Sequence, residues 1–171
     1  MGLWLLSESI RTWNLRGRNI DLDAVLLAAA AQPTGGPRID PNDPVYLPPG
    51  DIPERIATAT GMRDPAPEVV VRCILDSLAA AFADTLNQAE QLTGHPIQVV
   101  HLVGGGSQNP LLCQLTADTA HRPVVAGPVE ATALGNLLVQ ARTHGVLTGD
   151  LAALRKRVRI ATQLQRYEPR A

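Results

Sequence analysis

Aromatic residues are scarce in this 171-residue chain, where two Trp, two Tyr and one Phe make up 3% of the sequence. Proteins that bind single-stranded nucleic acid stack bases on exposed aromatic rings, so the shortage argues against such a surface. Charge of one sign is lacking too, because 15 Lys and Arg stand against 16 Asp and Glu for a formal net charge of −1. Nucleic acid and anionic membranes both favour a concentrated basic face, and we expect neither as a partner.

Cysteine and catalytic patterns are also sparse. Cys73 and Cys113 are the two cysteines, too few for a disulfide framework or a four-ligand zinc site, and we expect both to be buried thiols in a reducing compartment. The four histidines have no partner at helical spacing, so no metal site is predicted. No Gly-x-Ser-x-Gly elbow occurs, and Ser107 has no evident His and acid partner. We therefore name no catalytic residue.

Long apolar runs are absent, since the longest, around residues 26–31, is far too short to cross a membrane. The N-terminus has no basic region before its apolar residues and carries Glu8 directly after them, unlike a secretory signal. Hydrophobic residues nevertheless make up 45% of the chain, well above the disordered range. These features favour a globular, cytoplasmic protein.

Helical spacing of apolar residues is the main pattern over the first half of the chain. It predicts helices over about 2–15, 21–31, from Asp51 to a stop at Gly61, and over about 67–92, with a proline-rich surface loop from 33 to 51. Asp21 or Asp23 would cap the second helix. The first helix has no capping residue before it, so we expect the chain to open inside an element, as a truncated domain would.

A strand followed by glycines is the most informative local feature. Residues 97–103 are β-branched and nearly all apolar, typical of a strand buried on both faces. Gly104, Gly105 and Gly106 follow, then a helix from Pro110 to Ala120, a short strand over 123–126 and a helix over 130–144. This order predicts a parallel β-α-β-α unit. The last helix, over 150–160, is basic, which favours a solvated face, and the tail after it is polar.

Two parallel strands are too few for an independent sheet, because parallel sheets are normally larger and covered by helices. No third convincing strand is predicted. We therefore expect the sheet to be completed by a segment absent from this chain, and the chain to self-associate through its incomplete sheet.

The glycine run allows two interpretations. Glycines between a buried strand and a helix let a ligand approach the backbone, and phosphate or ribose oxygens can bind the helix N-terminus behind them. Alternatively, the run is only a tight turn. The dinucleotide fingerprint Gly-x-Gly-x-x-Gly and the P-loop are both missing, which argues against a dinucleotide oxidoreductase.

Two segments carry a specific resemblance: VVHLVGGGSQNPLLCQLTAD at 99–118 and GPVEATALGN at 127–136. They resemble the C-terminal part of the FGGY carbohydrate kinases, and within that family the enzymes that act on L-rhamnulose. Residues 1–6, 40–43 with 47–51, and 72–79 resemble the family's intervening segments. The resemblance implies a helix-rich α/β chain: a partial actin-like (ribonuclease H-like) ATPase domain with a short parallel sheet that lacks its first strands.

The resemblance also implies how the chain is divided into domains and which functions belong to the part that is missing. Residues 1–145 would be the distal part of the C-terminal ATP-binding domain, and 146–171 a C-terminal helix and polar tail. Family enzymes bind a sugar and MgATP in a cleft between two domains. The N-terminal domain, with its sugar contacts and catalytic aspartate, has no counterpart here, so L-rhamnulose would be bound only through that missing part. The chain alone is expected to be inactive; the alternative is a non-catalytic remnant or a module that completes its sheet with a partner chain.

Site residues carried over from the family are limited to nucleotide contacts. Gly104, Gly105 and Gly106 would form the nucleotide-binding turn, with Gly105 as the main contact and Asn109 facing the purine. Ser7 stands where family members often have a longer Gln. Gly135 would let its helix pack closely. ATP and Mg²⁺ are the cofactors implied for the intact enzyme.

Overall fold

A computed structural model describes residues 2–170 of the chain. Met1 and Ala171, which belong to the predicted segments 1–145 and 146–171, lie outside the described residues. The chain divides into two compact units, the first ending at His95 and the second beginning at Pro96. The first is helical, and the second contains a small sheet with three helices.

The first unit contains four helices: α1 (Trp4–Leu15), α2 (Leu22–Ala30), α3 (Ile52–Thr60) and α4 (Pro67–Thr93). Local signals set their ends. The side chain of Asp21 caps α2 and that of Asp51 caps α3, while Gly61 and Gly94 end α3 and α4 in the left-handed conformation. No side chain caps α1, which follows Leu3. The four predicted helices are thus confirmed.

The core of the first unit lies along α4, where Ile74, Leu75 and Leu78 are fully buried against the other helices. Arg72, also buried, contacts Asp76 at 2.9 Å and donates to the carbonyl oxygens of Ala29, in the last turn of α2, and of Gln32, just beyond it. The region from 33 to 51 has one short 3₁₀ turn, Pro44–Tyr46. Tyr46 is only 1% exposed and Pro41 is also buried, so the predicted surface loop is not entirely on the surface.

The second unit contains β1 (Val100–Leu102), α5 (Pro110–Ala120), β2 (Val124–Ala126), α6 (Ala131–Thr143), α7 (Leu151–Ala161) and β3 (Gln165–Tyr167). The sheet order is β1-β2-β3. β1 pairs in parallel with β2, with Val100 opposite Val124, which confirms the predicted parallel pairing. One face of the sheet packs on α5 through a core of Cys113, Ala117, Val124, Ala126 and Tyr167.

The expectation that no third strand exists was wrong, because β3 runs antiparallel to β2, with Tyr167 opposite Val124. β3 has only three residues and lies in a polar tail. Such a short segment cannot show the alternation of apolar and polar residues that predicts a strand. Tertiary contacts form it: Tyr167 enters the core, and Arg170 donates to the carboxylate of Asp118 at 2.7 Å.

The prediction of a β1 strand buried on both faces was also wrong. Val100 and Leu102 pack on the core, but His101, which points to the opposite face, is exposed. Within residues 2–170 no strand pairs with the outer edge of β1, and α6 has no buried residue. The structure is therefore a helix-rich α/β chain whose short mixed sheet is partly uncovered.

Candidate functional site

The glycine run lies at the carboxyl end of β1, where it forms a 3₁₀ turn, Gly104–Gln108, before α5. The segment after β2 lies beside it. The backbone N–H of Gly127 donates to the carbonyl of Leu102 at 2.9 Å, and that of Gly104 donates to the carbonyl of Pro128 at 3.4 Å. Ligands of open α/β sheets bind at such carboxyl ends of parallel strands.

The three glycines of the turn face three different surroundings. Gly104 has a φ of +76°, a conformation that side chains disfavour. A Cβ added to Gly106 would lie 3.0 Å from Cδ2 of Leu102, so this glycine allows the turn to pack on the strand. Gly105 has neither constraint, because its φ is not positive and an added Cβ would meet nothing within 4 Å. Within this run, Gly104 is therefore the glycine with the positive φ.

Open space at Gly105 means that the fold itself does not require a glycine there. Gly105 is exposed, so a ligand can approach its backbone without meeting a side chain. This is the geometry expected of a backbone that contacts a nucleotide.

Asn109 follows the turn and begins α5. Its side-chain oxygen accepts a hydrogen bond from the N–H of Leu112 at 3.0 Å, and the residue is only 4% exposed. This is a helix cap. The oxygen is therefore engaged by the protein.

Two supports of the turn were not predicted. The hydroxyl of Ser107 donates to the carbonyl of Gly104 at 2.7 Å. Beneath the turn, the thiol of Cys113 lies 3.8 Å from the carbonyl oxygen of Gly106, and burial raises the pKa of Cys113 to about 11, so it remains a protonated donor. The sequence indicated only that Cys113 and Cys73 would be buried, and both are. No local sequence pattern indicated that the thiol of Cys113 would contact the glycine turn.

Ser7 stands on α1 in the first unit, whereas the glycines and Asn109 come together in the second unit. Ser7 is exposed, and its hydroxyl donates to the carbonyl of Leu3 at 3.2 Å. This bond is local to the helix and does not indicate a ligand.

Other predicted features can be placed as well. An added Cβ at Gly135 would meet nothing within 4 Å, so the close packing expected of its helix is not found among the described residues. All four histidines are exposed. Residues 2–170 contain no group of three His, Cys, Asp or Glu side chains that could hold a metal ion. Over the same residues, no helix combines the length and apolar character needed to span a membrane.

Comparison with known proteins adds a family to this geometry. Residues 1–144 match the profile of the FGGY family of carbohydrate kinases, C-terminal domain. The chain is 39% identical over 175 residues to a rhamnulokinase of Pectobacterium carotovorum, in an alignment that includes 100% of the chain. It is 37% identical over 174 residues to a rhamnulokinase of Bacteroides thetaiotaomicron, in an alignment that includes 98% of the chain. A rhamnulokinase of Klebsiella pneumoniae is 42% identical over 147 residues, or 84% of the chain.

The chain spans about a third of the length of these relatives, with 34%, 34% and 29% of their sequences covered. Among solved structures, xylulose kinase from Rhodospirillum rubrum superposes with a TM-score of 0.56 over 85% of this chain and 29% of that enzyme. At 21% sequence identity this likeness shows a shared fold.

Proposed function

The chain belongs to the FGGY family of carbohydrate kinases, and we propose that it is the nucleotide-binding portion of a kinase that acts on L-rhamnulose. In the intact enzyme the γ-phosphoryl group of MgATP would pass to the 1-hydroxyl of the sugar. The sugar is inferred from relatives named rhamnulokinase that are 37–42% identical to this chain.

The observation that carries the nucleotide assignment is the open backbone at Gly105, at the carboxyl end of a strand in a parallel pair. A nucleotide would contact the exposed main chain of the turn, and the amide nitrogen of Asn109 would face the purine. Gly104 stabilises the turn because it adopts the left-handed conformation, and Gly106 does so because it packs on Leu102.

Phosphoryl transfer depends on positioning and electrostatic stabilisation of the transferred group. This chain would supply positioning of the nucleotide. Magnesium would accompany ATP through its phosphate oxygens, and we assign no residue of the chain to it. We also assign no catalytic base, so the chain alone should not turn over L-rhamnulose. Turnover by the purified chain in a coupled assay would contradict this.

The test is an ATP titration of the chain and two Gly→Val variants. Gly105→Val places a branched side chain where the nucleotide would meet the backbone, and should weaken ATP binding at least about tenfold. Gly135→Val is the matched control, because Gly135 is also open and has no positive φ, and it should leave ATP affinity unchanged. Unchanged ATP affinity in Gly105→Val would remove the turn from the nucleotide site.

Ser7 provides a second, independent variant. Family members often carry Gln at this position, and Ser7→Gln should tighten ATP binding if the longer side chain restores a contact. Among the described residues the hydroxyl of Ser7 bonds to the carbonyl of Leu3 at the start of its own helix, so the substitution should leave stability nearly unchanged. Unaltered ATP affinity would exclude Ser7 from the site.

A second function is favoured by the uncovered edge of β1. Unpaired backbone groups along a sheet edge can pair with a strand of another chain. As a non-catalytic remnant or interaction module, the chain would complete its sheet with a partner and bind no nucleotide. Absence of ATP binding combined with a stable complex with another chain would favour this alternative.

A further inference from the structure

A cavity of about 540 Å³ opens on the face of the sheet opposite α5, within the second unit. Its walls come from the end of β1, at His101 and Val103, from Gly127 and Pro128 after β2, and from one side of α7. Small-molecule sites in proteins have volumes of about 300–1,000 Å³. The cavity is therefore large enough for an organic ligand.

This cavity adjoins the glycine turn at Val103 and Pro128 but opens on the other face of the sheet. Successive side chains of a strand point to opposite faces of the sheet. Leu102 faces the α5 side, where it packs beneath Gly106, whereas His101 points into the cavity. None of Gly104, Gly105 and Gly106 lines the cavity.

The charge of the cavity has one sign. Arg155 and Arg159 lie four residues apart on α7 and both line the cavity. Among the described residues that line it, none is acidic. Within residues 2–170 neither arginine forms an ion pair. Like charges at this helical spacing repel each other, and a bound anion would relieve the repulsion. Guanidinium groups are well suited to phosphate and carboxylate oxygens.

The remaining wall is apolar. Val158 lies between the two arginines along the helix, and Val103, Pro128 and Leu164 complete the surface around them. A free inorganic anion would leave this wall in contact with water, whereas a ligand that carries a hydrocarbon or aromatic group would cover it. The two parts together define an amphipathic anion.

We propose that this cavity binds a small organic phosphate with an apolar group, held by Arg155 and Arg159 at its phosphate and by Val103, Pro128 and Val158 at its apolar part. The site goes beyond the proposed nucleotide turn and does not depend on it. All four basic residues of the helix are exposed, but Lys156 and Arg157 do not line the cavity.

The experiment is a titration of phenyl phosphate into the full chain at low ionic strength, with binding measured by calorimetry or NMR. The double variant Arg155→Gln/Arg159→Gln should weaken binding at least about tenfold, because it removes both charged hydrogen-bond donors for the phosphate. Lys156→Gln/Arg157→Gln makes the same change in net charge on the same helix but outside the cavity. This control should retain affinity within about threefold. Equal loss in both doubles, or no saturable binding to the unaltered chain, would overturn the proposal.

Two further arms identify the ligand class and the site. Inorganic phosphate and phenol, each carrying one half of the ligand, should both bind more weakly than phenyl phosphate; equal affinity for either would overturn the amphipathic assignment. Gly105→Val should bind phenyl phosphate as the unaltered chain does. Loss of phenyl phosphate binding in that variant would place the anion at the glycine turn and overturn the proposal. The nucleotide assignment is tested separately, by the ATP titration. Circular dichroism of every variant confirms that it is folded.

Discussion

The side-chain oxygen of Asn109 accepts a hydrogen bond from the N–H of Leu112 at 3.0 Å, so the residue that follows the glycine turn also begins α5. Asn109 thereby has two separable groups. Its oxygen stabilises the helix, and its amide nitrogen would contact the nucleotide. Variants that remove one group at a time can test each role.

Asn109→Asp retains the capping oxygen and removes the amide. A carboxylate at a helix N-terminus also interacts favourably with the helix dipole, so thermal stability should be kept while ATP affinity falls. Asn109→Ala removes the cap as well and should lower the free energy of unfolding by about 1 kcal/mol. Thermal melts and ATP titrations measure the two effects. Undiminished ATP affinity in Asn109→Asp would contradict a purine contact.

Alanine at each of the three glycines should affect stability differently. Gly104→Ala forces a side chain into a positive φ, at a cost of about 1–3 kcal/mol. Gly106→Ala places a methyl group 3.0 Å from Leu102 and should destabilise the chain by a smaller amount, since that side chain can shift. Gly105→Ala should be neutral or slightly stabilising. Urea unfolding gives the ranking, and equal losses at all three positions would disagree with the described turn.

Acid should weaken the first unit through Glu8. The side chain of Arg11 and the N–H of Gly50 both donate to its carboxylate, at 2.7 Å each, and lower the pKa of Glu8 to about 2. Because the folded pKa lies below the unfolded value of 4.5, the stabilisation is complete above pH 4.5. It is lost as pH falls towards 2.

Glu8→Gln should therefore flatten the dependence of unfolding free energy on pH between about 4.5 and 2. Glu54→Gln, at an exposed carboxylate on α3, serves as the control and should change the slope much less. Denaturant unfolding at a series of pH values measures both. The same slope in Glu8→Gln and the unaltered chain would exclude this carboxylate from acid sensitivity.

The uncovered sheet should make the chain self-associate. β1 has a free edge among the described residues, and its sequence, VHL, contains no lysine of the kind that blocks edge pairing. His101→Lys should reduce association in sedimentation experiments, while His144→Lys, exposed beyond α6, should not. A monomer at all concentrations that also binds no hydrophobic dye would contradict the expectation.

Local signals allowed much of the fold to be predicted. The caps at Asp21 and Asp51 and the stop at Gly61 act within one helical turn, so the sequence alone located both ends of α3 and narrowed the start of α2 to Asp21 or Asp23. β3 and the burial of Tyr46 depend on contacts with residues far along the chain, and no local pattern indicated them.

The candidate site shows the same division. The sequence located the glycine turn, since a run of glycines after an apolar strand is a local pattern. Which glycine has the positive φ, which one packs on Leu102 and which one stays open depends on the folded backbone. The cavity beside α7 likewise depends on how that helix lies over β1 and β2, and composition alone indicated a solvated basic face.

The central claim, that the glycine turn binds ATP, is tested most directly by amide NMR of the ¹⁵N-labelled chain during an ATP titration. We predict saturable shifts concentrated at the amides of Gly104, Gly105, Gly106 and Asn109, with small changes at the amides of α7. Shifts that do not saturate, or that are concentrated away from the turn, would contradict the claim.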